Sequence, residues 1–346
     1  MPANTDLPCL TGRQAAQAGW FMKARWGVFC HYLGAAPSSG GGAELTAEQW
    51  NAQVDSFDVG ALADQLHSIG TTYFFLTLGQ NSGHYCSPNA TYDCHVGIRP
   101  SKCSRRDLPA DLHEALDRHG IRLMLYLPSG APAADPQVVA ALGWEWGVEG
   151  GWGGRGTQRT GKRLAEFQVK WEQIVRDWSL RFGRRVHGWW IDGCYFADEM
   201  YRHDDPPNFE SLAAALKAGN GDALVAFNPG VKVPVICHTE HEDYTAGEIA
   251  EAFPTCPGRW VRRGGRDCQY HVLSYLGERW CGGQPRFPDE FPIGYTKHVN
   301  SRGGVVTWDV PITKDGAIPQ PFVDQLQAIS SAVRNSPLSP GPCPAL

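Results

Sequence analysis

The chain has no long apolar run. Nothing in its 346 residues approaches the ~18 consecutive apolar positions of a membrane helix, so no membrane partner is expected. The first residues, MPANTDLPCLTGRQ, lack a basic stretch followed by an apolar one. A secretion signal is therefore not visible, and a cytoplasmic location is expected. Like charges do not cluster, and the balance is mild: 31 basic against 36 acidic residues, net −5. A nucleic-acid surface is not expected from such a charge pattern. No GxGxxG follows a first strand, which argues against dinucleotide binding. No CxxC occurs among the 11 cysteines, and Cys86, Cys94 and Cys103 share one loop-rich stretch without zinc-ligand spacing. Reduced thiols are the simpler reading, with no metal and no cofactor.

Tryptophan and glycine are plentiful, at 13 and 40. Indole faces stack on the apolar faces of sugars, and they also fill large cores. With 42% hydrophobic residues, the core can be sizeable. Short apolar runs alternate with amphipathic ones. Strands are predicted at residues 26–32, 72–78, 121–127, 186–192, 223–227, 271–276 and 304–308. Most are nearly continuous apolar runs, as in parallel strands buried on both faces. Helices are predicted at 59–69, behind the N-cap Asp58 and before Gly70, and at 108–119, 165–182, 209–218 and 322–333. Repeated strand–loop–helix units of this kind predict an α/β fold, a (β/α)8 TIM-type barrel, irregular in places. One domain over 1–335 is expected, with a Pro-rich tail at 336–346. Gly-rich stretches at 38–42 and 149–156 read as long loops at the barrel mouth.

In a barrel the chemistry sits where strands end. Apolar runs here lead into Cys30-His31-Tyr32, into Gln80-Asn81-Ser82-Gly83-His84, into Tyr126, into Trp190-Ile191-Asp192-Gly193, and into Asn228-Pro229-Gly230. Asp192 is the sharpest signal, a carboxylate closing an apolar strand before a turn-forming glycine. Trp190, two residues earlier, points to the same side. Glycoside hydrolysis needs two carboxyl groups. Candidates for the second lie in a run holding Glu240, Glu242 and Glu248, with Asp267 further on. His238 and His241 in the same run raise a metal-dependent hydrolase as an alternative, although the run has no helical HExxH. A non-catalytic sugar-binding barrel is the other alternative. The candidate sugar contacts are His31, Trp50, Gln80, Asn81, His84, Tyr126, Trp190, Asn228 and Trp280.

These stretches resemble glycoside hydrolase family 29, the α-L-fucosidases, from about Trp20 to Leu326. WGVFCHY at 26–32 stands where the family has WFGxFIHWG. Phe57-Asp58, Leu66, Gly70, Tyr73 and Leu76-Thr77 fall along its second stretch. RDLPADLHEALDRHGIRLMLYLPS at 106–129 is similar to its helix and following strand. GWWIDG at 188–193 resembles its nucleophile strand, and SRGGVVTWDVPITKDGAIP at 301–319 its closing strand. The resemblance implies a retaining exo-α-glycosidase acting on a carbohydrate. Asp192 would be the nucleophile and Glu248 the acid/base, with His31, Tyr126 and Trp190 on the sugar. Two carboxyl groups ~5 Å apart would follow. The chain also departs from the family. Gln80 and Asn81 replace a histidine pair, Tyr32 replaces Trp, and Gly247 replaces the Pro before Glu248. No Trp-Glu pair precedes Trp280. These changes bear on the sugar more than on hydrolysis. The family's C-terminal β-sandwich is not expected in this chain, and pairing with a second copy would cover the edge it leaves.

Overall fold

Mostly apolar runs of four to seven residues are satisfied by burial on both faces, and seven of them form one sheet. In a computed structural model, which describes residues 18–34, 45–132, 134–145 and 162–334, these are β1 (Trp26–Cys30), β2 (Tyr73–Thr77), β3 (Arg122–Pro128), β4 (Val186–Asp192), β5 (Leu224–Phe227), β8 (His271–Tyr275) and β11 (Val305–Asp309). Two short hairpins supply the rest: β6 (Trp260–Arg263) with β7 (Arg266–Gln269), and β9 (Gly277–Arg279) with β10 (Gly282–Pro285). The sheet order is β5-β4-β3-β2-β1-β11-β8, and every pairing in it is parallel. From β1 to β5 neighbours in space are neighbours in the chain, and β11 near the chain's end returns to pair with β1, as successive βα units closing toward a barrel do.

Between the two edge strands runs the extended segment 243–249. Asp243 N–H donates to Val225 O on β5 at 2.8 Å. On the other side, Thr245 N–H donates to Gln269 O, Leu273 N–H to Gly247 O and Ile249 N–H to Leu273 O. The segment thus ties β5 to β8, where an eighth strand of a TIM-like barrel belongs. Its sequence, DYTAGEI, has no apolar run, and Gly247 turns it with φ +60°. A Cβ there would lie 2.0 Å from His271 O, so only glycine fits.

The predicted helices appear as Val59–Ile69, Leu108–Asp117, Ala165–Phe182, Phe209–Leu216 and Gln320–Arg334. Asp58 caps the first by accepting Ala61 N–H, and Gly70 ends it at φ +82°. The short helix Gly19–Ala24 seats Phe21 against Tyr73, Tyr244 and His271, plugging the barrel interior. The Gly-rich loops at 38–42 and 149–156 and the tail at 336–346 lie outside the described residues. Among the described cysteines each is a free thiol, Cys86 and Cys103 buried and Cys94 exposed. No described helix is long and apolar enough to cross a membrane.

Candidate active site

Asp192 ends β4, and Gly193 follows it at φ +79°, a turn that lets its own N–H fold back onto Asp192 Oδ1 at 2.8 Å. Two more donors reach the same oxygen: Tyr195 Oη at 3.0 Å and Asn228 Nδ2 at 2.8 Å. Among the described residues Oδ2 takes one, from Tyr126 Oη at 2.6 Å. Every partner is a donor, as an acceptor-only carboxylate needs. Burial and the charge of Asp192 push both phenols well above their ordinary pKa, so they stay protonated and keep donating. Oδ2 is the less committed oxygen and the one with capacity left for an electrophile.

Glu248 stands on the closing segment beside β8, bridged to Leu273. Asn228 joins it to Asp192. This asparagine directly follows β5 and is fully buried, and its Oδ1 accepts Gly230 N–H, which turns the amide so that Nδ2 faces the acids. Nδ2 donates to Asp192 Oδ1 at 2.8 Å and to Glu248 Oε2 at 2.7 Å. Oxygens joined through one nitrogen lie closer together than those two contacts laid end to end. Burial, then the neighbouring charge of Asp192, pushes Glu248 up to about 7, against the pull of Asn228 and His31. One carboxyl is held by donors and its neighbour keeps a proton near neutrality, the division of labour between a nucleophile and a general acid.

Beside Asp192 lies a hollow open to solvent, lined by Gln80, Asn81, Tyr126, Pro128, Trp144 and Asp192 among others. Gln80 Nε2 donates to Tyr126 Oη at 2.7 Å. His31 follows β1, and Trp280 meets its ring at 6.0 Å from the turn between β9 and β10. Trp190 belongs one layer deeper. It stacks on Tyr126 at 5.4 Å and 18°, and its N–H donates to Ala246 O at 3.0 Å. It is a floor that supports the site rather than an open platform.

Trp50 and His84 are both buried, 1% exposed, and neither lines this hollow. Trp50 donates to Tyr85 O and packs on Tyr32 and His84, so it fills the core behind the loop. The rival acids are also committed elsewhere. Asp267 pairs with Arg262 across the β6–β7 hairpin. Glu240 is exposed, and its carbonyl accepts from Arg266 of that hairpin. Glu242 is buried and accepts the N–H groups of Phe227, His238 and Thr239. Burial pushes it up to about 7 while those donors work the other way. Glu242→Ala leaves three buried donors bare and is expected to destabilise the fold by about 3 kcal/mol. Thermal melts check this, and an unchanged melting temperature would contradict it.

The metal alternative is not favoured. His238 Nε2 faces Cys194 O and Nδ1 faces Arg202, so both ring nitrogens are engaged. Among the described residues, the acids, thiols and imidazoles able to share an ion are Cys237, Glu242 and Cys268, a set without either histidine. Tyr195, Trp144 and Asp309 escaped sequence reasoning. Tyr195 and Asp309 each follow or end a barrel strand, so the strand-end rule applied throughout would have found them.

No family model matches this chain, and no curated protein matches it. Solved structures do. An endo-fucoidan hydrolase of glycoside hydrolase family 107 superposes at a TM-score of 0.69 and 18% identity, covering 93% of this chain and 54% of that one. α-L-Fucosidase isoenzyme 1 from Paenibacillus thiaminolyticus gives 0.64 and 16%, over 93% and 76%. The α-L-fucosidase of Lactobacillus casei, solved with α-L-fucose, gives 0.61 and 15%, over 92% and 98%. The chain spans about half the length of the first of these. At such identities the likeness is one of fold.

Proposed function

We propose that this protein is a retaining glycoside hydrolase that removes a terminal α-L-fucosyl or stereochemically related residue. The observation that carries this reading is the shared contact of Asn228 Nδ2 with both Asp192 and Glu248. Each acid has one oxygen on that nitrogen, at 2.8 and 2.7 Å, which favours the ~5–5.5 Å carboxyl spacing of retaining enzymes over the ~6.5–9.5 Å of inverting ones. The likeness to fucose-acting hydrolases favours the sugar, and the closing segment 243–249 supports an irregular (β/α)8 barrel with its mouth at this site.

Asp192 Oδ2 attacks the anomeric carbon while Glu248 gives its proton to the glycosidic oxygen. The bond to the aglycone breaks, and an ester joins sugar to Asp192. Glu248, now a base, takes a proton from water, and the water displaces Asp192. His31, Gln80, Asn81 and Trp280 are the sugar contacts. Gln80 commits its amide nitrogen to Tyr126, which turns its carbonyl oxygen free to accept from a hydroxyl. A panel of aryl glycosides differing in the sugar tests the reading. Hydrolysis of the α-L-fucoside or a close stereoisomer, with the first-formed product in the substrate's anomeric configuration, is expected. A first product of opposite configuration, or no turnover across the panel, would contradict it.

A further inference from the structure

A second strand-end acid stands next to the site. Asp309 closes β11 and is fully buried. Its Oδ1 lies 2.7 Å from His31 Nδ1, and its Oδ2 accepts the backbone N–H of Cys281 at 2.7 Å. Among the described residues its ion-pair partner is His31, with no lysine or arginine on it. His31 in turn meets Tyr126 at 5.6 Å and Trp280 at 6.0 Å. Cys281 directly follows Trp280 in the β9–β10 turn, where it is held at φ +51°. One carboxylate therefore grips two parts of the site wall, the imidazole after β1 and the turn that carries the indole.

We propose that Asp309 is a positioning residue for the sugar site: it fixes His31 as the tautomer protonated on Nδ1 and pins the Trp280 turn beside it. A carboxylate only accepts, so the ring nitrogen facing it carries the proton. In the neutral ring the other nitrogen, Nε2, then holds a lone pair and serves as acceptor for a sugar hydroxyl. The role rests on the glycosidase reading, since it assigns Nε2 to a sugar.

The geometry sets a strict test, because both Asp309 oxygens are needed as acceptors. An asparagine has one. If its oxygen meets Cys281 N–H, its NH2 faces His31 Nδ1 and forces the proton to Nε2. If its oxygen meets His31, its NH2 opposes the Cys281 N–H and the turn is released. Asp309→Asn keeps the size and should fold, which a thermal melt checks.

The tautomer is read by nitrogen NMR of the full chain labelled at histidine, with the His31 ring identified by its loss in His31→Gln. In the wild type, Nδ1 should carry the proton and Nε2 should not. Asp309→Asn should move the ring to the Nε2–H form or a mixture. It should also lower kcat/KM on the best aryl glycoside ~10–100-fold, the range seen when a histidine loses its outer partner at metal sites. A wild-type ring protonated on Nε2, neutral or charged, overturns the proposal without any variant. So does an Asp309→Asn protein that keeps both tautomer and kcat/KM. The ring signal needs no substrate. A wild type with the Nδ1–H tautomer but no glycoside turnover would therefore sink the hydrolase reading while upholding the grip of Asp309 on His31.

Discussion

Asp192→Ala is expected to lower kcat on an activated aryl glycoside at least ~10³-fold, about 4 kcal/mol of barrier. Without the carboxylate no glycosyl ester forms, and the remaining donors have nothing to orient. Asp192→Asn should lose as much. Its amide cannot attack, and its NH2 would confront Tyr195, Gly193 and Asn228, or Tyr126, all of which donate to Asp192. The alanine variant leaves space on the attacking face. Azide can enter there and should release a glycosyl azide of inverted configuration. Steady-state rates and product NMR check both points. Full activity in either variant would end the nucleophile assignment.

Glu248→Ala is expected to behave differently, and the difference identifies the acid. Leaving groups that need a proton should lose ~10²–10⁴-fold, while a dinitrophenyl glycoside, whose phenolate leaves unaided, should lose far less in the first step. Azide should now attack the glycosyl ester and give the retained azide. The pH profile follows from the same residue. A general acid must be protonated, so activity falls as pH rises through the value near 7 to which burial and Asp192 push Glu248. Glu248→Gln should abolish that fall. If the alkaline limb persisted there, or if all leaving groups suffered alike, the acid would be another residue.

Much of this was legible in order along the chain. Strand β4 and the helices Val59–Ile69 and Ala165–Phe182 have the bounds their apolar patterns indicate. A continuous apolar run or a capped amphipathic stripe is local information. The closing segment was not legible as a strand. Its backbone pairing with β5 and β8 is long-range, and DYTAGEI carries no apolar run to announce it. Asp192 was found because it ends such a run. Glu248 was placed by resemblance, and only Asn228 shows why it and not Glu242 faces Asp192.

Trp190 marks the limit of strand alternation. Period two sets the side a residue points to, but each step of two moves ~6.6 Å along the strand. Trp190 shares the inward side with Asp192 and sits a layer below it, stacked on Tyr126. A tryptophan or histidine near a loop looks alike in sequence whether its ring faces a sugar or fills the core; Trp50 and His84 are both buried.

The most direct test is to trap the intermediate. A 2-deoxy-2-fluoro-α-L-fucosyl fluoride forms the ester quickly and loses it slowly, because fluorine destabilises both oxocarbenium-like transition states and the fluoride leaving group offsets only the first. Mass spectrometry of the intact protein should show one added sugar, and peptide mapping should place it on Asp192. A label on any other carboxylate, or hydrolysis that proceeds with inversion and leaves no adduct, would contradict the account.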